Sequence, residues 1–173
     1  NRGKTIFICD TSVIEYPDAN QLADMAKSAA RVVKLFGFDP KVAFLSHSTF
    51  GQPVTDRTKR ISDAVEILKK SNVDFKFDGE MQPDVALEEV YKELYPFSEI
   101  VGSSNVLIMP SQHSAAISYK MIKSMSRAKV IGPLLIGLGL PIEIAPLRSS
   151  TSEIINIASI AAYSADVIDY KKN

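Results

Sequence analysis

The chain has 173 residues, which is the length of one domain and enough to bury a hydrophobic core. Its 20 basic and 20 acidic residues give a formal net charge of zero, so neither a nucleic-acid-binding surface nor a polybasic membrane contact is predicted. The single cysteine, Cys9, excludes an intrachain disulfide and indicates a reducing, cytoplasmic setting. Because the chain starts at Asn1 without a methionine, we expect it to be excised from a longer protein.

Apolar runs alternate with helix-period segments along almost the whole chain. Six runs are predicted as strands: Thr5–Cys9, Lys41–Ser46, Val73–Phe77, Val106–Met109, Val130–Ile136 and Ile142–Ala145. The alternation predicts one α/β unit over residues 1–173, with a mostly parallel sheet and helices on both faces. The link Gly137–Pro141 is too short for a parallel crossover, so one antiparallel strand is allowed.

Two helix starts carry a capping box, in which an N-cap side chain and the residue three positions later exchange hydrogen bonds. Asp18 with Gln21 begins the first predicted helix, and Ser150 with Glu153 begins the last. The middle helices are predicted from apolar residues on one face: Ile61, Ala64, Val65 and Leu68, then Leu87, Val90, Tyr91 and Leu94. The last helix is apolar nearly all round, which predicts a homodimer or higher homo-oligomer.

No common catalytic or nucleotide-binding motif is present, and no cluster of residues predicts a metal site. The best candidate for an anion site is Arg148 with Ser149, Ser150 and Thr151, because a guanidinium, hydroxyls and helix N–H groups all suit phosphate. An ordinary capped helix with a surface arginine fits the same spacing equally well.

Polar residues also follow three of the predicted strands. His47 and His113 lie just after strands two and four, where α/β proteins place ligands. A lone loop histidine is nevertheless more often structural or solvated. Asp78, Glu80 and Asp84 cluster after strand three, and the sequence leaves a solvated loop and a functional role equally open.

Several strings occur together and in a familiar order: FGFDPKVAFLSHSTFG, DGEMQPDVAL, NVLIMPSQHSAAISYK, IGPLLIGLGLP and SEIINIASIAA. This set resembles the phosphate acetyltransferase/butyryltransferase family over nearly the whole chain. Within it, LSHSTFG is most similar to the C-terminal, phosphotransacetylase-like region of large bacterial malic enzymes. The resemblance implies a three-layer α/β/α fold of the isocitrate/isopropylmalate dehydrogenase type, of which this chain is the second half.

The chain departs from the transferase pattern at several matched positions. Where transferases carry Ser-Arg-Gly before the last helix, this chain has Pro146, Leu147 and Arg148. Where they carry Ser-Thr-basic-Gly-Ser after strand two, it has Ser48, Thr49, Phe50, Gly51 and Gln52. Ile136 replaces a glutamine, and Glu153 stands where an aspartate is usual. Apart from the last of these, the departures remove polar or charged groups, so we predict no catalytic residue here.

The resemblance therefore implies a regulatory and oligomerisation domain that binds acetyl-CoA, or a related CoA or phosphate ligand, as an allosteric inhibitor. The implied effector contacts are Arg148, Ser149, Ser150, Thr151, Glu153, Ser48, Thr49, Gly51 and His113. In the parent, oxidative decarboxylation of malate to pyruvate, with NADP and a divalent metal, would reside in other domains. The alternatives are an active phosphate acetyl/butyryltransferase and an assembly module without a ligand.

Overall fold

Four strands form one parallel sheet: β1 (Phe7–Cys9), β2 (Lys41–Leu45), β3 (Lys76–Met81) and β4 (Val106–Ile108). They lie in the order β1-β4-β2-β3, and every neighbouring pair is parallel. The computed structural model describes residues 4–138 and 140–167 of the chain. Neither Gly139, in the link predicted between the fifth and sixth strands, nor Lys171 is among the described residues.

Helices follow the strands in the predicted alternation. They are α1 (Ala19–Leu35), α2 (Asp56–Lys70), α3 (Pro83–Leu87), a 3-10 helix (Glu89–Glu93), α4 (Gln112–Met125) and α5 (Thr151–Val167). The chain packs as two compact units, Asn1–Tyr119 (unit 1) and Lys120–Asn173 (unit 2). The assignment of residues 1–173 to one α/β unit of a longer domain stays a prediction. None of the helices in the described ranges is both long and apolar enough to cross a membrane.

The core of unit 1 lies on both faces of β2. Because successive strand residues point to opposite faces, Val42 and Phe44 pack against α1 and α2, while Ala43 and Leu45 pack on the other side with α3. These four residues are all buried. Their alternation confirms the predicted fold class, a parallel sheet with helices on both faces.

The segments predicted as strands five and six form no strand in the structure. Residues 130–136 and 142–145 carry no regular secondary structure, and no antiparallel strand occurs among the described residues. Pro133 and Pro141 lack the N–H that a ladder needs, and Gly132 and Gly137 have positive φ angles of 118° and 84°. The apolar side chains of these segments are exposed or half-buried, so apolar composition alone did not determine a strand.

Strand β3 is displaced from its predicted position and reaches Met81, beyond the apolar run Val73–Phe77. The displacement follows from pairing with β2, because Asp78 and Gly79 stand opposite Ala43 and Phe44 in the ladder. An edge strand can thus extend through residues whose composition indicates a loop.

The helix predicted through Leu94 ends at Leu87 instead, and Val90 and Leu94 are exposed. The reason is a competition for carbonyl groups. The backbone carbonyls of Val85 and Ala86 accept hydrogen bonds from the N–H groups of Gly102 and Ser104, at 2.9 and 3.1 Å. These carbonyls are therefore engaged outside the helix and do not accept from the N–H groups four residues later, as they would in a continuing α-helix.

Gly102 makes this arrangement possible, and its replacement tests it. A Cβ on Gly102, which has a φ of +72°, would lie 2.6 Å from the Cα of Glu89. We expect Gly102→Ala to lower the free energy of unfolding by about 3 kcal/mol or more, combining left-handed strain with a backbone clash. Gly37→Ala is the control, because Gly37 has a φ of +80° but no atom within 4 Å of its Cβ position. If chemical denaturation shows the same loss of unfolding free energy for Gly102→Ala and Gly37→Ala, a clash at Gly102 is contradicted.

Candidate functional site

The carboxyl edge of the sheet in unit 1 contains the position where α/β proteins usually bind ligands. Helices α1 and α2 cover one face of the sheet, whereas α3 and Ala115 of α4 pack on the other. Neighbouring strands β2 and β4 are therefore followed by helices on opposite faces. Open α/β sheets usually bind ligands beyond the strand ends at such a switch point, and here the loops of residues 46–52 and 109–114 follow the two strands concerned.

A buried carboxylate, that of Glu80, holds the loop that follows β2. Glu80 is 1% exposed. Its Oε1 accepts hydrogen bonds from the Ser48 hydroxyl at 3.0 Å and from the Gly51 N–H at 2.7 Å. Its Oε2 accepts from the Ser62 hydroxyl of α2 at 2.5 Å, and its carbonyl accepts from the Phe50 N–H at 2.8 Å. Glu80 thus joins the loop, α2 and β3.

This network occupies the groups that the sequence assigned to an effector. The side chain of Ser48 is fully buried, and its hydroxyl donates to Glu80. The Thr49 Oγ1 accepts from the Gln82 N–H at 3.1 Å, and the Gly51 N–H donates to Glu80. In this structure these three residues shape the loop, and direct contact between them and an effector stays a prediction.

Phe50 points an apolar ring to the position where the resembling transferases carry a basic residue. Its backbone lies in the left-handed region with a φ of 48°. The ring centroid lies 5.3 Å from that of Tyr95 and 4.8 Å from that of Phe97, distances typical of aromatic pairs. The loop therefore presents an aromatic surface and no cation at this point.

The loop after β4 is held by Arg60, which the sequence analysis did not identify. Its guanidinium donates to the carbonyls of Pro17 and Pro110 and lies 3.8 Å from the ring centroid of Tyr16. Burial lowers the pKa of Arg60. The only sequence signal for this role is a basic residue beside the buried Ile61 on an amphipathic helix. His113, in the first turn of α4, is exposed near this loop.

Unit 2 contains a pocket of about 90 Å³ at the start of α5. We call it the α5 pocket. Its lining consists of two basic residues, three other polar or acidic residues and five apolar or glycine residues: Lys123, Arg148, Ser149, Glu153, Asn156, Val130, Ile131, Gly132, Pro146 and Ile157. Arg148, Ser149 and Glu153, which the sequence predicted as anion contacts, are therefore together in one concave site.

The predicted capping box at α5 is confirmed. The Ser150 N–H donates to Glu153 Oε2 at 2.8 Å, and the Glu153 N–H donates to the Ser150 hydroxyl at 3.3 Å. Thr151 is the first residue of α5. Glu153 also pairs with Lys123, whose Nζ lies 3.4 Å from Oε1. The hydrogen bonds from Ser150, and then the contact with Lys123, lower the pKa of Glu153.

Two further groups of the α5 pocket were missed by sequence reasoning. Lys123 comes from α4, and Asn156 lies one helical turn beyond the cap of α5. The Asn156 Nδ2 is buried without a hydrogen-bond partner. Among the described residues, Arg148 forms no ion pair. The pocket therefore holds unused donors suited to an anion.

The fold defines a parallel α/β protein with helices on both faces of its sheet, and comparison with known proteins identifies the family. The family model for phosphate acetyl/butaryl transferase matches residues 1–162, so the chain belongs to that family.

Relatives within this family are of two kinds. The chain is 46% identical over 164 residues to an NADP-dependent malic enzyme of Rhizobium meliloti (strain 1021), covering 95% of this chain and 22% of that protein. It is 34% identical over 166 residues to a phosphate acetyltransferase of Bacillus subtilis (strain 168), covering 95% of this chain and 51% of the relative. A crystal structure of a phosphotransacetylase from Streptococcus pyogenes superposes with a TM-score of 0.89 at 32% identity, covering 95% of this chain and 50% of that chain.

The chain thus spans about half the length of the transferases it matches and about a fifth of the malic enzyme.

The buried carboxylate of Glu80 yields a stability prediction. Glu80→Ala leaves the Gly51 N–H and the hydroxyls of Ser48 and Ser62 without their acceptor, which should lower the free energy of unfolding by about 3 kcal/mol. Glu80→Gln retains one acceptor oxygen and should lose less than half as much. Exposed Glu66→Ala is the control and should leave the denaturation midpoint unchanged. If the denaturation midpoint of Glu80→Ala equals that of wild type, the hydrogen bonds to Glu80 do not stabilise the loop after β2.

Proposed function

We propose that this chain is part of the C-terminal, phosphotransacetylase-like domain of a multidomain malic enzyme and binds acetyl-CoA as an allosteric inhibitor. The parent reaction is the oxidative decarboxylation of malate to pyruvate with NADP and a divalent metal, carried out by domains outside this chain. The similarity to malic enzymes over 95% of the chain supports this assignment. The cytoplasmic location, where acetyl-CoA is formed and consumed, belongs to the same proposal.

The α5 pocket is the observation that carries the effector proposal. Arg148 is an exposed cation without an ion-pair partner among the described residues, and Ser149 and Asn156 offer further hydrogen-bonding groups beside it. Acetyl-CoA contains several phosphate groups, and a guanidinium binds a phosphate with paired, charge-assisted hydrogen bonds. The pocket therefore supports anchoring of the effector through one of its phosphates.

An active phosphate acetyl/butyryltransferase is the second candidate function. Its support is the family membership and the 34% identity to a phosphate acetyltransferase. Its weakness is chemical, because Leu147 and Phe50 stand where the resembling transferases carry basic residues. Leu147 is also fully exposed. An apolar side chain offers no donor for the charge that develops on phosphate and thioester.

A ligand-free assembly module is the third candidate. Among residues 151–166 of α5, whose burial the structure describes, only Ile157 is buried, whereas Ile154, Ile155 and Tyr163 are 49%, 59% and 47% exposed. Exposure of large apolar side chains along one helix supports contact with another chain. A two-fold homodimer is the simplest closed assembly, and it is compatible with effector binding at the α5 pocket.

For the transferase alternative, we expect no meaningful acetyl transfer between acetyl phosphate and coenzyme A. Loss of one preorganised donor typically costs ~10²–10³ in rate, and two basic positions are apolar here. A thioester-formation assay on the full-length protein measures this directly, with an active phosphate acetyltransferase as the positive control. Turnover near ~10 s⁻¹, a typical enzyme value, would establish the second candidate instead.

For the effector proposal, we expect Arg148→Ala in the full-length enzyme to weaken inhibition by acetyl-CoA. A hydrogen bond to a charged group contributes ~1.5–3 kcal/mol, so the inhibition constant should rise by ~10–150-fold. Malate turnover without effector should stay near that of wild type.

Arg31→Ala is the matched control, because Arg31 is exposed on α1 in unit 1. Lys171→Ala, outside the described residues, is a second control. If the inhibition curve of Arg148→Ala superposes on that of wild type, Arg148 does not bind the effector and the start of α5 is an ordinary helix cap.

For assembly, we expect the full-length protein to be at least dimeric at tens of micromolar in light scattering. Ile155→Glu places a charge on the exposed side of α5 and should shift the distribution towards smaller species. Val54→Glu, at an exposed apolar residue outside α5, should not. A monomeric wild-type protein at that concentration would exclude a dimer of useful stability.

A further inference from the structure

The α5 pocket contains polar groups besides Arg148 and the N-terminus of α5. Its second cation, Lys123, comes from α4, and its amide, Asn156, lies deeper along α5. Neither residue belongs to the anion contacts predicted from the sequence. The hydrogen-bond partners of their side-chain nitrogens suggest a role for each residue.

The side-chain amide of Asn156 lacks a hydrogen-bond acceptor among the residues that the structure describes. Its Nδ2 is buried and has no hydrogen-bond partner in the protein. Buried amide N–H groups are nearly always paired, because leaving one unpaired is unfavourable. Since Asn156 lines the pocket, a ligand oxygen in the pocket is the natural acceptor.

Lys123 is only loosely engaged. Its Nζ lies 3.4 Å from Glu153 Oε1, which is longer than a strong charge-assisted hydrogen bond, and its side chain is 55% exposed. The other carboxylate oxygen of Glu153 is already held by both the N–H and the hydroxyl of Ser150, at 2.8 and 2.9 Å. Lys123 is therefore able to contact an anion while Glu153 stays fixed by its cap.

The α5 pocket has room for a small polar group. Its volume of about 90 Å³ is several times the ~10–15 Å³ that a cavity needs to hold one water molecule, so a phosphate group can be accommodated.

We propose that Lys123, Arg148 and Asn156 together bind one phosphate group, and that the Glu153 carboxylate acts as an electrostatic brake that limits the affinity. This inference rests on the proposed effector site and adds two further contacts, Lys123 and Asn156, and a role for the charge of Glu153. Two cations and an amide attract the phosphate, while the fixed carboxylate repels it and competes for Lys123. Glu153 thus sets the affinity without donating to the ligand.

Glu153→Gln is the decisive variant. Glutamine also suits the third position of a capping box, so the start of α5 is retained while the negative charge is removed. Removal of one nearby like charge in a solvated pocket should strengthen phosphate binding by about three- to tenfold. A residue that served the ligand as an acceptor or a proton acceptor would show the opposite change.

Asn156→Leu removes the donor at nearly constant volume and should weaken binding about tenfold, and Asn156→Ser is the second variant if the first does not fold. Lys123→Ala should also weaken binding. Glu143→Gln is the charge-matched control, because Glu143 is in unit 2, accepts a hydrogen bond from the Leu135 N–H and does not line the pocket. We expect no change for this variant.

The experiment is calorimetric titration of the full-length enzyme with inorganic pyrophosphate and with acetyl-CoA, at saturating NADP so that phosphate sites for the cofactor are occupied. Thermal melting verifies that each variant is folded. Stronger binding by Glu153→Gln together with weaker binding by the Asn156 variant supports the proposal.

Two results separate its failure from that of the proposed function. If wild type binds and Arg148→Ala does not, but the changes at Glu153 and Asn156 have no effect, the phosphate site with its brake is wrong and the effector site stands. If Glu153→Gln weakens binding, the brake is wrong. If wild type binds neither probe at millimolar concentration, both proposals fail.

Discussion

Burial of β2 on both faces is the constraint on which the architecture of unit 1 depends. Val42 to Leu45 have no exposed side, so the strand requires helices above and below it and a hydrogen-bonded neighbour at each edge. Parallel pairing with β3 and β4 meets that requirement. It also brings the loops after β2 and β4 to one edge of the sheet, with their helices on opposite faces.

The two candidate regions use polar residues in different ways. At the sheet edge, the hydroxyls of Ser48 and Ser62 both donate to the carboxylate of Glu80, and this network holds the loop. A buried carboxylate is tolerated there because each oxygen accepts at least one hydrogen bond. In the α5 pocket, by contrast, the guanidinium of Arg148 and the amide of Asn156 have unused donors. Unused donors can bind a ligand, and this difference supports the effector site proposed at the α5 pocket.

The departures from the transferase pattern are consistent with this division. Phe50 replaces a cation by a ring that packs against Tyr95 and Phe97. Leu147 replaces another, and the neighbouring Arg148 supplies a charge one position later. Two positions that are basic in the resembling transferases are thus apolar here, whereas Arg148 keeps a cation beside the α5 pocket. This distribution supports the proposed binding role over the transferase alternative.

Local interactions explain what the sequence alone determined. The helices α1 and α2 and both predicted capping boxes depend on neighbours a few residues away, so periodicity and cap residues predict them. The positions of β2 and β4 were predicted from their continuous apolar runs, although their pairing is long-range. Arg148 and Glu153 were also identified from spacing alone. The family resemblance added the fold type and the expected lack of transfer chemistry.

Long-range partners decided the rest. The extent of β3 depends on its ladder with β2, and the end of α3 depends on N–H groups of Gly102 and Ser104. The predicted fifth and sixth strands fail because apolar runs need a partner strand, which no composition can supply. The same holds for four polar residues that sequence reasoning did not identify or left open. The partners of Arg60, Glu80 and Lys123 are distant in the chain, and the Nδ2 of Asn156 is buried without a partner. Such requirements exist only once the chain has folded.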